Sequence, residues 1–275
     1  MATPVGDGPG KHPLGLALVT KSMIVTGAGH GIGAETARQA AAAGYRVGVL
    51  DINADSAEET AQSLPDAVAL VASSTDSDAF EAVLDEFGTP DVLVNNAGIV
   101  RFKPLVDHSE DEWRAVVDVN LNGPFVCGRA VARRLIAEGR KGAMVNISSI
   151  NGIAPGPNSG AYSSTKAAII QLTRQMAIEW GPAGIRVNSV APGIIDDGMS
   201  VAILSDPEVR ATRSSRTPSQ RLGTAADIAK AVMWLCSDDA EYVNGHNMVV
   251  DGGVVHTVLS GMPRPASIDG IAEEG

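Results

Sequence analysis

The chain has 275 residues, of which 44% are hydrophobic and 19% charged, a length and composition that suit one large domain with a full α/β core. Its net charge is −11, and Lys and Arg form no dense basic face, which excludes a nucleic-acid footprint. No segment reaches the ~20 apolar residues of a membrane span.

The first residues are rich in Gly and Pro and lack a basic cluster, so residues 1–21 read as a flexible leader rather than a signal peptide. From Met23 onward strand and helix signals alternate. Residues 23–25 are an apolar run ending in glycines, and residues 34–43 an alanine-rich helix stopped by Gly44. Residues 47–50 form the next strand, closed by Asp51. Helices are expected at 55–63 and 78–87, with strands at 67–71 and 92–94. Two helices follow, at 111–119 and 123–138, then a strand at 143–147. Residues 161–180 read as a long amphipathic helix. A strand at 185–190 is broken by Pro192-Gly193, residues 225–236 are helical, and 247–250 form the last strand. Residues 210–221 hold four arginines spread through Ser, Thr and Pro and read as a mobile loop. Such alternation means α/β class: a parallel sheet covered on both faces, in a single domain spanning residues 22–255, with a tail at 256–275.

The glycine run Gly27, Gly29, Gly31, Gly33, with His30 and Ile32 among them, lies between a strand and a helix. Glycines let the backbone turn sharply and approach a diphosphate, and the helix start offers unpaired N–H groups and a positive dipole end. Asp51 ends the second strand, where a carboxylate accepts hydrogen bonds from the adenosine ribose hydroxyls and repels a 2′-phosphate. Ile52 follows it, with no arginine to hold such a phosphate. The expected cofactor is therefore NAD. Asn95-Asn96-Ala97-Gly98 ends the fourth strand, where small residues permit close approach and amides can tie neighbouring strands.

Tyr162 and Lys166 are four apart on a helix and share a face. A phenol with its usual pKa near ~10 is a poor base at neutral pH, whereas an adjacent ammonium and a positive nicotinamide favour the phenolate. Lowering it by ~3 units needs roughly 4 kcal/mol. The two cysteines, Cys127 and Cys236, sit in apolar helical stretches without metal-ligand spacing, and the five histidines are scattered. They read as buried thiols of a reducing compartment, the cytoplasm, with no metal site.

Taken jointly, these pieces resemble the short-chain dehydrogenase/reductase superfamily over about residues 22–255. The matching residues are the Thr-Gly-x-x-x-Gly-x-Gly loop from Thr26 to Gly33, Asp51, Asn96, Ala97 and Gly98, Asn120, Ser149, Tyr162 and Lys166, Pro192-Gly193, and Asp251-Gly252-Gly253. The resemblance implies a Rossmann-type doubly wound sheet of about seven parallel strands. It also implies an NAD-dependent oxidoreductase acting on a secondary alcohol or ketone, working as a homotetramer without nucleic-acid or membrane partners. Tyr162 would exchange the proton on the substrate oxygen, and Ser149 would hydrogen-bond that oxygen. Lys166 would hold the nicotinamide ribose, and Asn120 a water leading to solvent. The thirteen-residue gap to Tyr162 selects Ser149 over Ser148; a helix cap is the rival reading of Asn120. Two departures stand out. Ser73 replaces an Asp that holds adenine in many members, and Asp197 stands where a Thr often holds the nicotinamide amide, so backbone groups at Ile195 are expected to position that amide. Substrate choice is expected between 150 and 158 and in a lid at 194–216. The enzymatic alternatives are a 3-oxoacyl thioester reductase and a polyol or sugar dehydrogenase. The alternative outside enzymes is a catalytically idle NAD-sensing scaffold.

Overall fold

The structure is a computed structural model that describes residues 20–259. The expected leader lies outside the described residues up to residue 19, and the expected tail from residue 260. Among the described residues there are seven strands: β1 (Ser22–Thr26), β2 (Arg46–Asp51), β3 (Ala67–Val71), β4 (Val92–Asn95), β5 (Gly142–Ile147), β6 (Ile185–Pro192) and β7 (Asn247–Val250). They form one sheet in the order β3-β2-β1-β4-β5-β6-β7, and every neighbouring pair is parallel.

Alternate residues of these strands feed two cores, as a period of two requires. Met23 and Val25 pack on one face with Ala37 and Ala40 of α1 (Gly31–Ala42) and with Ile228 and Val232 of α9 (Ala225–Cys236). Ile24 faces the other side, with Phe80 and Leu84 of α3 (Ser77–Phe87), Leu135 of α5 (Gly123–Ala137) and Met176 of α6 (Ala161–Trp180). The chain builds β2 and β3 to one side of β1, then returns to place β4 on the other. The carboxyl ends of β1 and β4 thus border the crevice where the winding reverses, the place where ligands bind in such sheets.

Several boundaries differ from the sequence expectation. Helix α1 begins at Gly31 rather than at 34; glycine is a poor helix former, but here the first turn must fold back under the loop, and only glycine fits. α2 runs Ala54–Gln62, capped by the Asn53 side chain accepting from Ser56 N. Between α4 (Glu110–Val117) and α5 the helix continues through a π-turn, Asp118–Asn122. Strand β6 runs through Pro192 instead of stopping at 190. It pairs there with β7 alone, and Gly193 N donates to Val250 O; the missing proline N–H is tolerated at a strand end.

The reading of residues 210–221 as a loop fails over residues 210–216, which are helical. α7 (Val201–Leu204) precedes the stretch, and α8 (Pro207–Arg216) takes up residues 210–216 of it. Asp206 caps α8 by accepting from Glu208 N and Val209 N, with Pro207 in the first turn. Arg210 forms a bidentate pair with Asp196, and Arg221 one with Asp227. Charge pairing, rather than an apolar stripe, orders this segment.

Candidate active site

The loop after β1 divides its glycines between two tasks. Gly27 and Gly31 have positive φ, 62° and 61°, and with His30 and Ile32 they line the cleft. Gly29 and Gly33 face inward. A Cβ on Gly29 would meet Ser56 Oγ at 2.4 Å and Asp51 Oδ2 at 2.9 Å; one on Gly33 would meet Gly27 O at 2.2 Å. The backbone oxygen cannot swing aside, so Gly33→Ala is expected to destabilise the fold by about 3 kcal/mol. Urea unfolding measures this, and a loss below about 1 kcal/mol would mean that the loop relaxes freely.

Asp51 is fixed by the backbone on both oxygens: Oδ2 accepts from Gly29 N at 2.9 Å and Oδ1 from Asn53 N at 3.0 Å. Beside it Ile52 is 74% exposed, and its neighbour across the sheet edge, Val71, 55%. Val71, the parallel partner of Asp51, was not singled out by the sequence reading, since a lone strand-end Val carries no signal. Ser73 turns its hydroxyl onto Thr75 Oγ1, 2.8 Å away. On the far side of the loop, Asn96 Nδ2 donates to Thr26 O and Gly27 O, and Thr26 Oγ1 accepts from Asn96 N and Ala97 N. The Asn96-Ala97-Gly98 turn therefore locks the end of β4 onto the glycine loop. Gly193 lies where a Cβ would meet Asp251 at 2.6 Å, which seats the Pro192-Gly193 turn against the Asp251-Gly252-Gly253 corner.

The residues expected to do chemistry come together in the same cleft. It is lined by Gly98, Ser149, Tyr162, Lys166, Pro192, Gly193 and Ile195 among others. Ser149 follows β5 and caps the turn Ile150–Gly152 by accepting from Asn151 N. Gly152 presses that turn onto α6, where a Cβ would come within 2.6 Å of the Lys166 backbone. This contact holds Ser149 in the cleft that Tyr162 also lines. Ser148 is spent elsewhere: its hydroxyl donates to Val190 O and meets Asn247 Oδ1 at 2.7 Å. α6 is preceded at its N-cap by Gly160, whose φ of 52° and ψ of −133° favour glycine; the His108 ring fills the space a side chain there would need.

Lys166 is 3% exposed and its Nζ donates to Ile147 O at 2.6 Å. Burial pulls its pKa from 10.5 down to about 8. Nζ lies 5.5 Å from the centre of the Tyr162 ring. The Tyr162 pKa is raised, not lowered: burial outweighs the Ser149 hydrogen bond. The expectation of a phenolate favoured by Lys166 is thus reversed in the protein by itself, because the ammonium is held away on a carbonyl and both groups are desolvated. Asn120 is 1% exposed, carried inward by the π-turn. Its amide is committed to Ile99 on both sides, Oδ1 accepting from Ile99 N and Nδ2 donating to Ile99 O, with Thr165 Oγ1 at 3.3 Å. The side chain is not a helix cap; it pins the Gly98 turn above Lys166.

The glycine cradle, the α1 N-terminus and the fixed Asp51 carboxylate fit a dinucleotide in charge and in close-approach space. A larger hollow of about 890 Å³ lies at the amino ends of β1, β4, β5 and β6. Of the residues singled out above only Cys236 lines it, and it sits at the end of the sheet opposite the carboxyl ends where ligands bind. Among the described residues no helix is long and apolar enough to cross a membrane. Cys127 and Cys236 are both free and buried, and burial raises both thiols, Cys236 to about 12.

The family model described as enoyl-(acyl carrier protein) reductase matches residues 27–255. The L-rhamnose 1-dehydrogenase (NAD(P)(+)) of Azotobacter vinelandii is 39% identical, over 87% of this chain and 98% of its own length. The 3-oxoacyl-[acyl-carrier-protein] reductase FabG of Staphylococcus aureus is 40% identical, over 86% and 98%. A solved 4-hydroxyisoleucine dehydrogenase complexed with NADH superposes with a TM-score of 0.81 at 33% identity, covering 86% of this chain and 98% of that one.

Proposed function

The chain belongs to the short-chain dehydrogenase/reductase superfamily and is an NAD(P)-dependent oxidoreductase acting on CH–OH groups, and on that footing we propose that it transfers a hydride between NAD(H) and a secondary alcohol or ketone. The observation that carries this reading is the convergence of Ser149, Tyr162 and Lys166 on the cleft that the glycine loop opens into. Gly27, Gly31, Ile32 and Asp51 would hold the diphosphate and ribose, with Gly98, Pro192, Gly193 and Ile195 along the nicotinamide half. Bound there, the nicotinamide gives or takes the hydride. Ser149 donates to the substrate oxygen as charge develops on it. Tyr162 gives that oxygen its proton in reduction and removes it in oxidation. Lys166 keeps a positive charge behind the phenol, and Asn120 holds the turn that covers Lys166.

Turnover is tested with a panel of secondary alcohols and ketones against both cofactors. Dinucleotide binding without turnover of any of them would point instead to the sensing or scaffolding role. A sugar hydroxyl and a 3-oxoacyl thioester remain the alternative substrates, since relatives named for each are about equally similar to the chain.

Asp51 supports NAD over NADP, because a carboxylate held by Gly29 N cannot turn away from a 2′-phosphate. The double variant Asp51→Ala/Ile52→Arg is expected to shift the NAD:NADP ratio of kcat/KM toward NADP by about 100-fold. An unchanged ratio would remove the ribose assignment. We further assign the working form as a cytoplasmic homotetramer. In support, Phe125 and Ile136 of α5 and Ile178 of α6 are exposed apolar side chains on the single chain. Light scattering decides the oligomeric state.

A further inference from the structure

Among the described residues lining the cleft that holds Ser149, Tyr162 and Lys166, Asp197 alone is a carboxylate. It faces the glycine loop directly: its Oδ1 is the nearest atom, 3.7 Å away, to the position a Cβ on Gly31 would take, followed by Gly198 Cα and Gly198 N. Three constraints hold it there. The backbone before it is pinned by a bridge between Ile195 and Gly223, with Asp196 N donating to Gly223 O. Asp196 is gripped by both terminal nitrogens of Arg210 on α8. The Asp197 side chain itself turns back to accept from Gly198 N at 2.6 Å, capping the short turn Gly198–Ser200.

An anion is thus fixed against the stretch of loop and helix start that the dinucleotide's diphosphate must approach. Resting on the cofactor reading above, we infer that Asp197 is an affinity-setting residue: its carboxylate competes with the diphosphate for the positive end of α1 and keeps the dinucleotide bound weakly enough to exchange. Two negative groups a few ångströms apart in a half-buried cleft repel by an amount that salt reduces. The diphosphate bears this repulsion in both redox states of the cofactor, so release of either form is faster than it would be beside a neutral side chain.

The test is Asp197→Asn, which keeps the capping oxygen and removes the charge. Binding of ADP-ribose, NADH and adenosine to the purified protein is measured by calorimetry in dilute buffer and again in about 1 M salt, where the Debye length falls to about 3 Å. ADP-ribose and NADH are expected to bind the variant about tenfold more tightly in dilute buffer, with most of the gain lost in salt and adenosine unchanged. Equal ADP-ribose affinities for both proteins overturn the inference while leaving the cofactor site intact. So does weaker NADH binding with ADP-ribose unchanged, which would give Asp197 the role of accepting from the nicotinamide amide. If neither protein binds NADH or ADP-ribose at all, the cofactor reading falls and the inference with it.

Discussion

Tyr162→Phe is expected to lower turnover about 10³-fold while dinucleotide affinity stays within about threefold. The variant removes one oxygen and no carbon, so packing at the head of α6 is retained. Ser149 lines the cleft beside the phenol and is held independently by capping the Ile150–Gly152 turn, so the serine keeps its place when the phenol is gone. No neighbour can take over the proton. Lys166 Nζ is directed at Ile147 O, Ser148 is committed to Val190 O, and the Asn120 amide to Ile99. Burial holds the phenol in its protonated form in the protein alone. Reduction, which begins from that form, is therefore expected to hold its rate to higher pH than a free phenol would allow. In oxidation the phenolate must be generated, and the rate should climb with pH. The measurement is nicotinamide absorbance in both directions for the two proteins across pH. Turnover of the variant within about tenfold of wild type would exclude Tyr162 as the proton carrier.

Much of the architecture was legible because burial on both sheet faces leaves a strong trace. Apolar triplets ending in Gly or Asn marked β1 and β4, and α6, a long helix, matches its expected limits of 161–180. The glycine loop, Asp51 and the Tyr162/Lys166 pair were readable for a related reason: their spacing is dictated by backbone geometry that few other residues satisfy. What the sequence hid depends on contacts made at a distance. The early start of α1 follows from Gly33 packing on Gly27 O. The π-turn at Asp118–Asn122 has no residue signature and is set by Asn120 reaching Ile99 across 21 residues. α8 was overlooked because its apolar content is low, although Asp206-Pro207-Glu208 is a recognisable cap and first turn. The direction of the Tyr162 shift was misjudged since adjacency on a helix says nothing about which carbonyl the lysine chooses.

Lys166→Met should combine a loss of activity of about 10³-fold or more with a gain in stability of the unliganded protein at neutral pH. The sign follows from linkage. The folded pKa, about 8, lies below the ordinary 10.5. Below pH 8 the lysine is charged in both states and the desolvation penalty is fully present. Between 8 and 10.5 the unfolded chain binds more protons than the folded one, so wild-type stability rises with pH from this group. Above 10.5 it is neutral in both and the penalty is gone. The span corresponds to about 3 kcal/mol. Methionine carries no proton, so the difference between the two proteins is expected to shrink by about that amount between pH 7 and pH 10.5. At neutral pH the variant's advantage is reduced by about 1 kcal/mol, because Ile147 O loses its partner. Urea unfolding of both proteins at each pH supplies the comparison. A constant difference across the range would mean that the buried ammonium is solvated by groups beyond Ile147 O, and that its charge at neutral pH comes without the strain this site implies. A variant that loses activity yet shows the predicted pH trend would place Lys166 where the chemistry needs it: a cation kept on a carbonyl at the edge of its own neutralisation, whose charge the dinucleotide and the phenol both depend on.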